Sequence, residues 1–199
     1  MKIPSPSSFS YFTRSIQPVM KLNMTLRPIT SQDMDFLCKV YVSTRQEEMA
    51  LVTDWSEAQK TAFLQMQFDA QHAYYSEHYS RAQFQIILLD GAPVGRLYVD
   101  RRVKEIRIVD IALLPEYRSQ GIGSDLLKEI LKEGAQAGLP VTIHVEMFNP
   151  ALRLYDRLGF HRIADHGVYY LMEWSPDATR LDLSGLTTSV ENQLSQTKT

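Results

Sequence analysis

Hydrophobic side chains recur with two different spacings in the middle of the chain. Residues 121–137 carry apolar side chains at every third or fourth position and are followed by Gly138, which predicts an amphipathic helix with a glycine stop. Residues 82–99 fall into two apolar runs separated by an Asp-Gly dipeptide, which is typical of a β-hairpin. Residues 141–145 are mostly β-branched and predict a further strand.

The remaining segments complete a predicted order of β-α-α-β-β-β-α-β-α-β-β. The predicted strands cover residues 25–29, 82–89, 93–99, 105–114, 141–145, 160–164 and 168–174. The predicted helices cover residues 33–49, 53–79 and 121–137, with a short helix between Asn149 and Gly159. On the second helix we expect a buried face made of Phe63, Met66, Ala70 and Tyr74. This order predicts a mixed α/β (α+β) sheet rather than a series of βαβ units.

Sequence composition divides the chain into one domain with two polar ends. Residues 24–174 hold all of the predicted elements and are assigned to one domain. Residues 1–23 contain basic residues but no acidic one, which favours a flexible N-terminal extension over the alternative of a transit peptide. Residues 175–199 are rich in Ser, Thr and Gln and are predicted to form a polar C-terminal tail.

Composition and charge mainly exclude whole classes of function. The 199 residues carry a net charge of −2, which argues against a basic nucleic-acid binder. The one cysteine, Cys38, excludes an intrachain disulfide, and the five histidines show no spacing typical of a metal site. No apolar run approaches the roughly 20 residues that a membrane-spanning helix needs. We therefore expect a cytoplasmic protein without a metal, a membrane or a nucleic acid as partner.

The segment between the predicted strand 105–114 and helix 121–137 holds the chemical motif. It contains two glycines in the run Arg118-Ser119-Gln120-Gly121-Ile122-Gly123. The first turn of a helix has backbone N–H groups without partners and the positive end of the helix dipole, and glycines let an anion approach closely. The motif predicts a pyrophosphate site, although a purely structural glycine turn stays open as an alternative. A dinucleotide fingerprint would need a glycine where Leu126 stands, and no P-loop sequence occurs.

Three pieces of the sequence together resemble the GNAT superfamily of N-acetyltransferases. The pattern R-x-x-G-x-G after L-P-E-Y resembles the acyl-CoA-binding segment of that superfamily. The run Asn149-Pro150-Ala151, followed by Tyr155 and then by L-G-F, is similar to the segment after the family's fifth strand. The order of elements over 24–174 also matches. The resemblance implies a GNAT acyl-CoA N-acyltransferase fold, in which a mostly antiparallel central sheet is splayed between its fourth and fifth strands and flanked by helices.

The resemblance also implies which residues contact acetyl-CoA as the co-substrate. The loop would hold the pyrophosphate through backbone N–H groups, the end of the fourth strand would lie beside the pantetheine arm, and a bulge there would free an amide for the thioester oxyanion. The implied cofactor-binding residues are Ile111, Ala112, Leu113, Arg118, Ser119, Gln120, Gly121, Ile122, Gly123, Ser124, Asn149 and Tyr155.

Three residues are candidates for proton transfer. Tyr155 matches the family's tyrosine that protonates the leaving thiolate, with a role as a core aromatic as the alternative. Asp110 and Glu105 are the candidate bases, because superfamily members often use a carboxylate on the fourth strand. A salt bridge with a neighbouring arginine is the alternative for both, and neither need be the base.

The implied function is acetyl transfer to a primary amine of a small molecule or protein, by direct attack on the thioester. Residues 72–81 (HAYYSEHYSR) could form an aromatic and acidic rim for a cationic amine, or could simply pack tyrosines into the core. A non-catalytic acyl-CoA-binding sensor of the same fold is the alternative function. The sequence leaves homodimer formation open.

Overall fold

The apolar strands pair into one seven-stranded sheet in the computed structural model, which describes residues 23–176. The strands are β1 (Met24–Pro28), β2 (Gln83–Leu89), β3 (Ala92–Arg101), β4 (Ile106–Leu113), β5 (Val141–Glu146), β6 (His161–His166) and β7 (Tyr169–Trp174). The α-helices are α1 (Met34–Thr44), α2 (Gln46–Ala50), α3 (Glu57–His78), α4 (Ile122–Ala137) and α5 (Leu152–Arg157). Short 3-10 turns cover Ser31–Asp33 and Pro115–Tyr117.

The strand order in the sheet is β1-β2-β3-β4-β5-β7-β6. All neighbouring strands are antiparallel except β4 and β5, which are parallel. The β4–β5 ladder contains only three pairs and ends at Ile108 opposite Ile143. The predicted mixed sheet with a splay between the fourth and fifth strands is confirmed, and this splay positions the site described below.

Both faces of the sheet bury apolar side chains against helices, because successive residues on a strand point to opposite sides. Ile87 on β2 packs in a cluster with α4 and α5, whereas its neighbour Ile86 packs in a second cluster with α1 and α3. We call these sides the α4 face and the α1 face. Helix α4 buries the predicted stripe and ends at Gly138, which has a left-handed backbone (φ 66°).

The predicted first helix is divided and the predicted second helix starts later. A break at Arg45 (φ −109°, ψ 4°) separates α1 from α2 within the predicted range 33–49. Helix α3 begins at Glu57 rather than at residue 53, because Ser56 caps it. The Ser56 hydroxyl accepts a hydrogen bond from the Gln59 amide, and the Gln59 side chain accepts one from the Ser56 amide.

The predicted buried face of α3 is wrong. Leu64 and Phe68 are the residues that α3 buries against α1 and the sheet. Met66 and Tyr74, which were expected inside, are exposed. Apolar residues are scattered around this long helix, so its periodicity alone fixes no single inward face; the packing partners select a face rotated by one residue, about 100°.

The predicted terminal segments, 1–23 and 175–199, lie almost wholly outside the described residues. Within residues 23–176, no helix has both the length and the apolar character that crossing a membrane requires. Cys38 is half-buried and its thiol donates to Gln65 Oε1 at 3.2 Å. Burial raises the pKa of this thiol, which fits a packed rather than a reactive cysteine.

Candidate active site

A bulge in β4 bends this strand at the point where it leaves β5. Tyr98 of β3 is paired with Asp110, but the next residue, Val99, is paired with Ile108, so Val109 has no β3 partner. The same position follows the last β4–β5 pair. Beyond Val109, β4 is therefore hydrogen-bonded as a strand on its β3 side only, and its other edge lines an opening between β4 and β5. We call this opening the gap.

The loop after β4 enters α4 through two residues with positive φ. These are Ser119 (φ 59°) and Gly121 (φ 89°), the residue that precedes the helix. The first helical hydrogen bond is from the Asp125 amide to the Gly121 carbonyl at 2.9 Å. The amides of Ile122, Gly123 and Ser124 are therefore donors without a helical partner. They form a cradle with the chemistry that an anion requires.

Gly123 is not required by the packing of the protein. Among the described residues, a Cβ atom placed on it would meet only the Leu113 Cδ1 atom, at 4.0 Å. The residue is helical, where alanine is more stable than glycine by up to about 1 kcal/mol. The structure therefore gives no internal reason for glycine here, and close approach of a ligand is the remaining physical reason.

Arg118 fixes the loop from inside. Its Nε donates to the Leu113 carbonyl at 2.9 Å, and its Nη2 donates to the Ser43 carbonyl at 3.1 Å and hydroxyl at 3.0 Å. Its side chain thus connects the end of β4 with the last turn of α1. The guanidinium of Arg118, one of the residues implied to contact acetyl-CoA, is therefore turned to internal partners.

Tyr155 of α5 lies in the core of the α4 face. Its ring is buried and meets Phe160 edge-on at 5.5 Å between centroids. Its hydroxyl makes no hydrogen bond to another described residue. Burial, and to a smaller extent the charge of Asp110, raises the pKa of Tyr155 above the usual range of a phenol. The phenol therefore keeps its proton near neutral pH, as a general acid must.

Asp110 lies on the α1 face beside the gap and is paired with Arg96 of β3. Arg96 Nη2 and Nε donate to the two carboxylate oxygens at 2.9 and 3.3 Å, and Nη2 also donates to Gln71 Oε1 at 2.9 Å. The Arg96 side chain is only 3% exposed, against 13% for Asp110. The salt bridge with an arginine, which was the alternative role for Asp110, is thus present, and its partner is Arg96 on the neighbouring strand.

Glu105, the other candidate base, lies at the closed end of the β4–β5 ladder and away from the gap. It precedes β4 by one residue and stands five residues from Asp110, or roughly 16 Å along an extended strand. Its carboxylate accepts from Thr142 Oγ1 at 2.6 Å and from Arg107 and Arg102. Burial alone would raise the pKa of Glu105, but these bonds lower it overall. The open depression beside Glu105 is on this side too, away from the gap.

Asn149 begins the segment that carries Tyr155. Its Oδ1 accepts a hydrogen bond from the Ala151 amide at 2.8 Å, which starts the turn into α5. Its side-chain NH₂ group makes no hydrogen bond to a described residue and is therefore available to a ligand near the end of β5. The gap, the loop that enters α4, and helix α5 together make up the candidate site.

A family model described as the acetyltransferase (GNAT) family matches residues 49–160, more than half of the chain. The chain belongs to this family. It is 22% identical over 152 residues to an uncharacterized N-acetyltransferase, YafP, of Escherichia coli strain K12, an alignment that spans 76% of this chain and 91% of the relative.

Solved GNAT structures share the fold. One is the PaiA N-acetyltransferase from Thermoplasma acidophilum in complex with coenzyme A, with a TM-score of 0.59, 19% identity, and coverage of 77% of this chain and 99% of that one. Another is Ard1 from Thermoplasma volcanium, with a TM-score of 0.52, 18% identity, and coverage of 76% and 97%. At these identities the likeness establishes the fold.

The predicted rim on α3 faces the gap only in part. Tyr75 packs edge-on against Tyr98 at 6.2 Å, and burial, followed by the charge of Asp110, raises its pKa. Tyr74 and His78 stack on each other at 4.0 Å and are exposed on the outer side of the helix. Of these three residues, Tyr75 is therefore the one that lies near Asp110 beside the gap.

Two arginine–carboxylate pairs lie beside the gap, and neither pairing was predicted from the sequence. One is Arg96–Asp110, and a signal for it existed, since each residue interrupts an apolar strand of the GNAT domain. The other joins Arg45 to Glu146, the last residue of β5, through hydrogen bonds of 2.7 and 3.1 Å. These two residues are 101 positions apart in sequence, and no local pattern connects them.

Proposed function

We propose that this GNAT chain is an acetyl-CoA-dependent N-acetyltransferase that transfers the acetyl group to a primary amine of a small molecule or protein. The observation that carries the proposal is the position of the anion cradle at the mouth of the gap. Within residues 23–176, three amides in the first turn of α4 have no helical partner and lie next to a strand edge without a neighbouring strand. A diphosphate attached to an extended thioester arm fits this combination.

The residues of the chain suit the needs of amine attack on a thioester. The reaction forms a C–N bond and breaks the C–S bond, so one proton leaves the amine and one reaches the thiolate. The free edge of β4 after the Val109 bulge offers backbone amides that can hold the developing oxyanion. Tyr155 keeps a proton that the thiolate can take. We propose Asp110, on the α1 face beside the gap, as the carboxylate that receives the amine proton, and its pairing along β4 after the bulge supports this choice.

The proposal is tested in two steps on the full chain. Isothermal titration with acetyl-CoA measures binding, and a thiol-release assay over a panel of primary amines and N-terminal peptides measures turnover. We expect binding and acceptor-dependent thiol release. Binding without release across the panel would favour the acyl-CoA sensor, and absence of binding at millimolar acetyl-CoA would contradict both forms of the proposal.

A further inference from the structure

The last turn of α1 is fixed to both sides of the gap by arginine side chains. On the β4 side, Arg118 donates to the carbonyl and hydroxyl of Ser43. On the β5 side, two residues after Ser43, Arg45 donates to both carboxylate oxygens of Glu146. The segment from Ser43 to Arg45 therefore bridges the two strands at the end where they separate.

The Arg45–Glu146 pair is more constrained than an ordinary surface salt bridge. Arg45 is 22% exposed and Glu146 33% exposed. Arg45 also donates to Glu48 at 2.9 Å and lies 5.7 Å from the centre of the Tyr41 ring. The bidentate bond and the additional partners hold the Arg45 guanidinium in one position. Little side-chain freedom therefore remains in this ion pair.

The Arg45–Glu146 pair lies on the α1 face of the sheet, which is the face from which the acceptor amine must approach. The cradle belongs to α4, on one face of the sheet, so a thioester held by it enters the gap from the α4 face. The amine then reaches the thioester carbonyl carbon from the opposite side of the sheet, the α1 face. The side chains of Asp110 and Glu146 lie on that face, since each is paired with an arginine on the α1 side.

We infer that the Arg45–Glu146 ion pair is a positioning element for the acceptor amine. It holds the junction of α1 and α2 against the end of β5, and this junction forms one wall of the acceptor entrance opposite Asp110. The inference rests on the proposed function. Loss of the pair releases this wall and weakens acceptor binding, whereas the cradle for acetyl-CoA on the other face stays intact.

The test compares Glu146→Gln with a matched control on the other side of the sheet. Glu133 of α4 forms an equally bidentate pair with Arg101, at 2.6 and 2.8 Å, so Glu133→Gln removes the same charge away from the gap. With the fastest amine of the panel, we expect Glu146→Gln to raise the acceptor KM about tenfold. The affinity for acetyl-CoA and the kcat should change little, and Glu133→Gln should leave all three unchanged.

Hydrogen exchange and a conservative variant complete the experiment. Amides of α2 (Gln46–Ala50) should exchange faster in Glu146→Gln than in Glu133→Gln, and Glu146→Asp, which keeps the charge, should raise the KM less than Glu146→Gln does. An acceptor KM equal to that of Glu133→Gln, with or without faster exchange, would overturn the inference alone. If the wild-type chain turns over no amine, the proposed function fails and this inference fails with it.

Discussion

Replacing Gly123 by alanine tests separately whether glycine is needed at this position for folding or for binding acetyl-CoA. The added Cβ meets only one protein atom, at an ordinary contact distance of 4.0 Å, and Gly123 is the second residue of α4. Alanine should therefore stabilise the folded protein by about 0.5–1 kcal/mol, because glycine is the poorer helix former. For a domain of this size the expected rise in Tm is roughly 1–4 °C.

The same methyl group should weaken binding of acetyl-CoA. If the diphosphate approaches the backbone of the first turn of α4, a Cβ at Gly123 occupies part of its space. We expect a loss of affinity of about tenfold or more, equivalent to about 1.4 kcal/mol. Thermal unfolding followed by calorimetric titration with acetyl-CoA measures both quantities on one sample of the variant.

Gly134 provides a matched control in the same helix. A Cβ there would lie 2.9 Å from the Leu139 carbonyl oxygen and 2.9 Å from Val141 Cγ2. Gly134→Ala should therefore lower stability by about 1–3 kcal/mol through overpacking, and leave the affinity for acetyl-CoA unchanged. The cradle is supported if Gly123→Ala raises stability and weakens acetyl-CoA binding, while Gly134→Ala lowers stability and leaves binding unchanged. An unchanged affinity in Gly123→Ala would refute the reasoning, since nothing would then approach this backbone.

Three further predictions follow from the residues around the gap. Tyr155→Phe should reduce kcat at least tenfold with little change in acetyl-CoA affinity. Tyr98→Phe, which removes a buried hydroxyl that has no hydrogen-bond partner among residues 23–176, should leave kcat unchanged in the same assay. Asp110→Asn should destabilise the protein by about 3–5 kcal/mol in urea unfolding, because it leaves the buried Arg96 without its counter-charge; an unaltered midpoint would contradict the pairing. Burial, followed by the charge of Arg107, lowers the pKa of His144 in the folded protein. The neutral imidazole therefore contributes stability above about pH 6.5, the ordinary pKa of histidine, and this contribution should be lost as the pH falls through the lower pKa of the folded state. A Tm series from pH 7.5 to 5 should be steeper for the wild type than for His144→Gln.

The elements with local signals could be predicted from the sequence. Gly138 ends α4 where the hydrophobic period stops, and the Asp-Gly dipeptide turns the β2–β3 hairpin, as expected. The loop Arg118–Gly123 lies between a strand and a helix as its composition indicated. These features depend on backbone preferences of a few neighbouring residues, which the sequence records directly.

The pairing of distant side chains could not be predicted in the same way. The bulge at Val109 decides that Asp110 faces Arg96, whereas Glu105 is left at the closed end of the ladder. The spacing of the two acids from the glycine loop could not distinguish these positions. The Arg45–Glu146 pair depends on the break between α1 and α2, which is a consequence of tertiary packing rather than of local propensity.

The proposed function depends on where acetyl-CoA binds. A crystal structure of the protein with acetyl-CoA tests this most directly. We expect the diphosphate oxygens within hydrogen-bonding distance of the amides of Ile122, Gly123 and Ser124, and the thioester sulfur between β4 and β5 on the side of Tyr155. A diphosphate bound elsewhere, or a gap that stays closed to the thioester, would contradict the central claim.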